Sequence, residues 1–527
     1  MKKNLLSFAF LILFINSFAQ LNMVEAGFAT YNQDLSDIWG YVDSEGNEYA
    51  LVGVYNGLSI VDVTDPTALT ETFFGPGINS IWRDIKTWGD YAYVSTEGGG
   101  GIYIVDMSPL PDGDITNTTS FTGSVYPFTT VHNLYIDETG KLYIFGSNSG
   151  EGGAIICDLT ADPMNPVELG RFDDYYFHDG MARGDTLWGG AIYEGTFAAV
   201  DVSDPANPQV MATKSTPSQF THNTWVSNNG SYVFTTDEVE DGYIGAYDVS
   251  DFDNIFETDR IQSSPGNNVI PHNVHVLNNY LVTSYYSDGV TIHDAARPGN
   301  LIEVGNYDTS PNYPGPGYHG SWGAYPFLPS GNILAADIEE GLYVLTPDYK
   351  RGCYLEGVVT DSITGLPINN VIIKIQPQTG ISDHTNFSGT YAFGTATEGV
   401  YDIEYMHSNY NNKLIEGVSL ESGVLTILEV ELSSWFVGIG DEKETAQITT
   451  SPNPFVNSMT LKYHLNNEIS SNASILVYSI NGSLVENIKI TDQESTVDFG
   501  ANLNAGVYFV RLVNGSSVRS PIKITKL

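Results

Sequence analysis

Cysteine is almost missing from this chain: two residues in 527. A framework of disulfides is therefore excluded, and a chain of this length does not need one to bury a stable core. Basic residues are also scarce, 21 Lys and Arg against 63 Asp and Glu, for a formal net charge of −42. So acidic a surface repels phosphate backbones, which excludes nucleic acid as a partner. The imbalance is uneven, since residues 21–350 hold 9 Lys and Arg against 45 Asp and Glu. Beyond the first residues no apolar run approaches the roughly 18 needed for a membrane-spanning helix. Helical periodicity is nearly absent too. The Gly-rich stretches Ser95–Gly101 and Gly150–Gly153 have no lysine in place and no helix behind them, so they are hairpin turns and not phosphate loops. Nothing resembles a nucleophile elbow, a zinc-protease helix or a paired acid–base motif.

What the chain does have is punctuation. Fifty-three glycines and the Asp-Pro turns at Asp65, Asp162 and Asp204 break it into short runs rich in aromatic and β-branched residues, such as Tyr91–Ser95, Leu142–Phe145 and Tyr232–Thr235. These runs repeat. A dipeptide signature returns at Ser36-Asp37, Arg83-Asp84, His132-Asn133, His178-Asp179, His222-Asn223, His272-Asn273 and His319-Gly320, at spacings of 47, 49, 46, 44, 50 and 47. A second motif follows in each unit, as in GLSIVDVTDP (57–66), GIYIVDMSP (101–109) and GTFAAVDVSDP (195–205). Several short strands on a period of forty-odd residues predict β-propeller blades, seven of them over residues 20–350. The seventh unit lacks an outer strand. NMVEAGFATY (22–31) resembles NLIEVGNY (300–307) of the preceding unit, so the N-terminal strand is expected to complete blade seven and close the ring.

The period stops after Arg351. Residues 353–432 alternate as short strands and predict a small β-sandwich, 433–446 a linker, and 447–527 a further β-domain. The expected fold class is all-β, a seven-bladed propeller followed by two small β-sandwich domains. At the other end, Lys2 and Lys3, the apolar Leu5–Ile15 and Ser17-Phe18-Ala19 read as a secretory signal over residues 1–19.

Three segments carry resemblances. LSIVDVTDP, IYIVDMSP and FAAVDVSDP resemble the LVIVD repeat of secreted bacterial propellers in the choice-of-anchor B family. The opening Gly357–Ile368 and the centre Gly389–Phe393 resemble a carboxypeptidase regulatory-like domain. SPNPF (451–455), VYSINGSLV (477–485) and GVYFVRL (506–512) closely resemble the C-terminal sorting domain of the type IX secretion system in Bacteroidota. Those resemblances imply a protein secreted or held at the outer-membrane surface of a Gram-negative cell, engaging the type IX machinery through residues 447–527. The propeller would be its recognition body for an extracellular glycan or protein ligand.

One register carries possible chemistry. His132, His178, His222, His272 and His319 share a repeat position, and Asp84 and Asp179 occupy the next. Imidazole and carboxylate together suit zinc and similar divalent ions. Alternatively each histidine hydrogen-bonds a neighbouring turn and serves its own blade, a reading favoured by Ser36 and Arg83 at the same position in the first two units. The residue three further on (Trp39, Lys86, Tyr135, Met181, Trp225, His275, Trp322) is expected to pack blade to blade. Two functions follow: a surface binding protein without catalytic residues, or a metal-dependent lyase or hydrolase acting on extracellular polymers.

Overall fold

A computed structural model describes residues 20–378, 380–435, 446–465, 468–514, 517–518 and 521–527. The expected signal over 1–19 and most of the expected linker lie outside these residues. The chain forms two compact units that part between Arg351 and Gly352.

The first unit is built of seven four-stranded antiparallel sheets, the blades of a β-propeller. They cover residues 35–76, 85–121, 133–172, 179–215, 221–261 and 274–307, and the seventh combines 321–347 with Met23–Ala29. The middle strands are buried; Glu48–Val54 is buried at every residue, because a blade between two neighbours has no solvent face. Outer strands alternate instead, as in Gln209–Ser215. A recurring local device ends the third strand of six blades. The carboxylates of Asp62, Asp106, Asp158, Asp201, Asp248 and Asp294 each accept the backbone N–H two residues on, at 2.8–3.0 Å. This Asx turn is what the aspartate at the end of each IVD-type motif does.

The N-terminal strand closes the ring as expected. Met23–Ala29 pairs antiparallel with Gly341–Pro347, and Leu21 exchanges backbone hydrogen bonds with Asn306 of blade six. Gly27 explains the tight seat: a Cβ there would lie 2.0 Å from the Pro66 carbonyl oxygen of blade one. Gly170 meets Pro205 the same way between blades three and four. The terminal strand thus docks as an internal outer strand does.

In the second unit, strands between Cys353 and Leu432 form a three-stranded and a four-stranded sheet around Leu355, Val371, Ile373 and Ile403. Strands from Ala446 to Lys526 form two more sheets with a separate core that includes Leu461, Ile475, Val510 and Ile524. Cys157 and Cys353 are buried free thiols.

Candidate functional site at the channel mouth

Three residue positions per blade build the centre of the propeller in layers. The deepest is the residue expected to pack blade to blade. It does pack, but across the axis: Trp39 of blade one lies 5.9 Å from His275 of blade six, and Tyr135 of blade three 5.8 Å from Trp225 of blade five. Lys86 sits 4.3 Å over the Trp39 ring. These side chains plug the channel, so the space above them is a cup and not a pore.

The middle layer holds the Asp/Asn position, and it tethers blades. Asn133 Nδ2 donates to Asp84 at 3.0 Å, Asn223 Nδ2 to Asp179 at 2.8 Å, and the Val274 N–H to Asn223 Oδ1 at 3.1 Å. Lys86 Nζ lies 2.6 Å from Asp84 and 3.7 Å from Asp37. Burial raises the Asp84 carboxyl well above its usual range and pushes Asp179 up to about 6. Asp84 and Asp179, expected as candidate ligands, are thus engaged by asparagines of this layer, and Asp84 also lines a small recess shared with His132, His222 and His272.

The top layer is the histidine position, and it forms an arc. Ring centroids are 3.9 Å apart for His132 and His178, 4.4 Å for His178 and His222, and 4.4 Å for His222 and His272. Four consecutive blades, three to six, therefore place one imidazole each against the next. The ladder of blade five shifts register between Thr221 and Asn223, which leaves His222 as the extra, bulged residue. Two blades break the arc for visible reasons. Arg83 turns away to donate to the carbonyls of Val54, Tyr55 and Ile78. Ser36 is too short to reach in.

The seventh blade requires a correction. Ser321 pairs with Asp337 and Gly323 with Ala336, with the shift between them, as Thr221 and Asn223 do with Asp237 and Thr236. The residue in the histidine position is therefore Trp322, and His319 lies three residues upstream in the preceding loop. There its Nδ1 meets Glu339 at 2.6 Å and its ring stacks on Tyr313, with 47 % of the side chain exposed. The blade-seven residue in the deep layer is correspondingly Tyr325, 4.8 Å from Trp39. Gly323 leaves room for a neighbour, since a Cβ there would lie 2.5 Å from Asp37 Oδ1.

Glu238, which the repeat register did not single out, completes the cluster from the turn after the second strand of blade five. Its Oε2 is 3.6 Å from His222 Nε2, its Oε1 3.9 Å from His272 Nε2, and Tyr286 Oη donates to it at 2.7 Å. Two sets of donor atoms each fall within 4.8 Å of one another, His132, His178 and His222, and His222, Glu238 and His272. Burial, reinforced by the neighbouring imidazoles, holds His178 and His222 well below the usual histidine range, and burial takes His272 down to about 3. These rings are neutral at pH 7, the form that binds a metal. Burial pushes Glu238 up to about 7. A signal for Glu238 was present in the sequence: Glu97, Glu194, Glu238 and Glu339 all occupy this turn.

Above the histidines is a cavity of about 390 Å³. Every blade contributes to it, including Leu35, Trp82, His132, His178, Glu238, Tyr286 and Trp322. Trp82 and Tyr318 at its rim are 40 % and 55 % exposed.

Residues 450–525 match the secretion system C-terminal sorting domain, and residues 45–74, 82–110 and 191–216 match the LVIVD repeat. The chain carries LVIVD repeats and an export tail. A tail of this kind indicates export through the type IX secretion system to the cell surface or beyond. No curated relative matches the chain. Among solved structures it is similar to the β-propeller domain of Myceliophteria thermophila Cps50 (Swd1), at 13 % identity and a TM-score of 0.44, covering 61 % of this chain and 99 % of that one. It is also similar to the computationally designed Ika8 protein, at 9 % identity and a TM-score of 0.40, covering 62 % and 99 %. Among the described residues no helix is long and apolar enough to cross a membrane.

Proposed function

We propose that this is an exported binding protein of the choice-of-anchor B type, in which the propeller is the recognition body and the channel mouth takes the ligand. The observation that carries this reading is the cup itself. It is enclosed by all seven blades, plugged below, walled by Trp82, Tyr286, Tyr318 and Trp322, and floored by convergent polar groups. An apolar concavity with a few placed polar groups is the usual form of a small-ligand site, and aromatic walls suit the faces of sugar rings. In this reading residues 353–432 are a carboxypeptidase regulatory-like spacer, and residues 447–527 engage the type IX machinery and leave the propeller at the outer surface. The test is a glycan and peptide array probed with the mature protein and with a Trp82→Ala, Tyr318→Ala double variant. A hit that both retain equally, or no hit at all, counts against the channel mouth as the recognition site.

A second reading, a metal-dependent lyase or hydrolase acting on extracellular polymers, is favoured by one specific observation, the four adjacent imidazoles at the floor of the same cup. The two readings differ in turnover. Release of shortened or unsaturated product from an array-positive polymer selects the enzyme.

A further inference from the structure

We infer that His132, His178, His222 and His272, with Glu238, hold one divalent transition-metal ion at the floor of the cup. The inference stands whether the cup merely binds its ligand or also transforms it.

His272 Nδ1 lies 2.5 Å from the backbone carbonyl oxygen of Trp322, which can only accept, so Nδ1 carries the hydrogen. Its Nε2 is then a bare lone pair, and it faces Glu238 Oε1 at 3.9 Å. His132 Nδ1 lies 2.5 Å from the Glu97 carboxylate, which places a hydrogen on that nitrogen and makes Nε2 the atom available to an ion. Glu238 in turn lies 3.6 Å from His222 Nε2. Imidazole nitrogens and a carboxylate thus converge in a largely buried place, and a cation between them would satisfy their lone pairs together. Among the described residues the side chains converging there include no lysine or arginine: Lys86 belongs to the layer below, and Arg83 is turned away.

Nδ1 held by an oxygen and Nε2 directed at a common point is the arrangement that orients a histidine for metal binding. The distances are suited to it. A four- to six-coordinate ion with bonds of about 2.1 Å needs adjacent donors about 3.0–3.4 Å apart. Each donor set already lies within 4.8 Å, so rotation of the side chains closes it. His222 belongs to both sets, which makes it the pivot of one site rather than a member of two. The donor chemistry selects the class of ion. Imidazoles with a single carboxylate and no thiolate suit Zn²⁺, Fe²⁺, Co²⁺, Ni²⁺ or Cu²⁺, whereas Mg²⁺ and Ca²⁺ require an oxygen cage. His319 is excluded by its position, and Asp84 and Asp179 belong to the tethering layer.

The experiment uses the tag-free mature protein, stripped with chelator and titrated with Zn²⁺ and with Co²⁺ in the absence of any cup ligand. The expected result is saturation at about one ion per chain, with Co²⁺ giving the visible absorption of a nitrogen-rich site. His222→Ala should abolish stoichiometric binding. Because that variant disturbs a buried position, Glu238→Gln and the less buried His132→Ala are measured beside it, with folding followed by circular dichroism. Each should weaken binding at least about 10-fold while remaining folded. His319→Ala should bind as the parent does. Absence of stoichiometric Zn²⁺ and Co²⁺ binding, tighter binding of Ca²⁺ or Mg²⁺, or equal affinity in folded Glu238→Gln and His132→Ala would each overturn the inference. No ligand enters the titration, so its outcome is independent of the array that tests recognition.

Discussion

Ring closure can be broken without touching a blade interior, by starting the chain at Leu35. This truncation removes Met23–Ala29 and exposes the edge of Gly341–Pro347, a ladder of six residue pairs. The side-chain losses alone set a floor. Met23 is 3 % exposed, so its burial is worth about 1.5–3 kcal/mol. The Phe28 ring lies 4.6 Å from Tyr343, a contact worth about 0.5–1.5 kcal/mol. Two cross-blade ties also go, Asn22 Nδ2 to the Val304 carbonyl at 2.8 Å and Tyr307 Oη to Glu25 at 3.0 Å. At about 1 kcal/mol each, they bring the loss to about 4–6.5 kcal/mol before any ladder bond is considered. Domains normally hold about 5–15 kcal/mol in all, so the ring should melt about 10 °C lower or fail to close. The assay is thermal unfolding followed by circular dichroism and light scattering, because an uncovered strand edge should also aggregate. Gly27→Val is a subtler probe, since its side chain must displace the Pro66 carbonyl. A truncation that melts within about 1 °C of the parent, without added scattering, refutes the reasoning, as a shift that small corresponds to well under 1 kcal/mol.

Lys86→Met should cost about 3–5 kcal/mol at pH 7, because it strands Asp37 and Asp84 without their counter-ion. Burial already holds both carboxyls above their usual range, so the native state takes up protons more readily than the unfolded chain. The deficit should therefore shrink as pH falls towards 5, and denaturant melts at several pH values check it. His293→Leu should leave stability at pH 7 within about 1 kcal/mol, since both ring nitrogens are buried without a hydrogen-bond partner among the described residues. Burial takes His293 down to about 3, so its contribution is present above about pH 6.5 and is lost as pH falls from there towards 3. The neighbouring Glu303 carboxyl, 3.7 Å away, is pushed up to about 8 by burial and offers no charge in that range. The variant should flatten the acid limb by up to about 1.4 kcal/mol per pH unit, and an unchanged limb counts against it. Removal of residues 447–527 should leave a folded propeller retained in the periplasm, read by cell fractionation; secretion of the shortened chain would contradict the export role.

The architecture was legible because a propeller repeats its chemistry. The aspartate that ends each IVD-type strand has one local task, an Asx turn, and it recurs wherever that turn does. The N-terminal latch was legible for the same reason, since Gly27 repeats the role of Gly170 against a neighbouring Asp-Pro turn. The site was less so. Counting at a fixed period assigned His319 to the seventh copy, because the loop after Tyr307 is longer than its counterparts and happens to end in His-Gly. Only the ladder register reveals Trp322 as the equivalent residue. Glu238 escaped because it sits in a turn, where the hydrophobic pattern carries no register. The Asp/Asn position, next to the histidines in sequence, points to a different layer because consecutive strand residues face opposite ways.

A ring of equivalent blades makes a site only where its equivalence fails. Seven identical histidines at one height would surround the axis evenly, and no single ion could bond to all of them. Here blades three to six keep the histidine, while Ser36, Arg83 and Trp322 replace it on the remaining arc. The donors are thereby gathered on one side. On the other side Trp82 and Trp322 wall the cup, and the Trp322 carbonyl fixes the proton on His272. The same three substitutions that argue against a complete ligand ring thus supply what a functional cup requires: a one-sided cluster of imidazoles, an aromatic wall facing it, and an opening between the two.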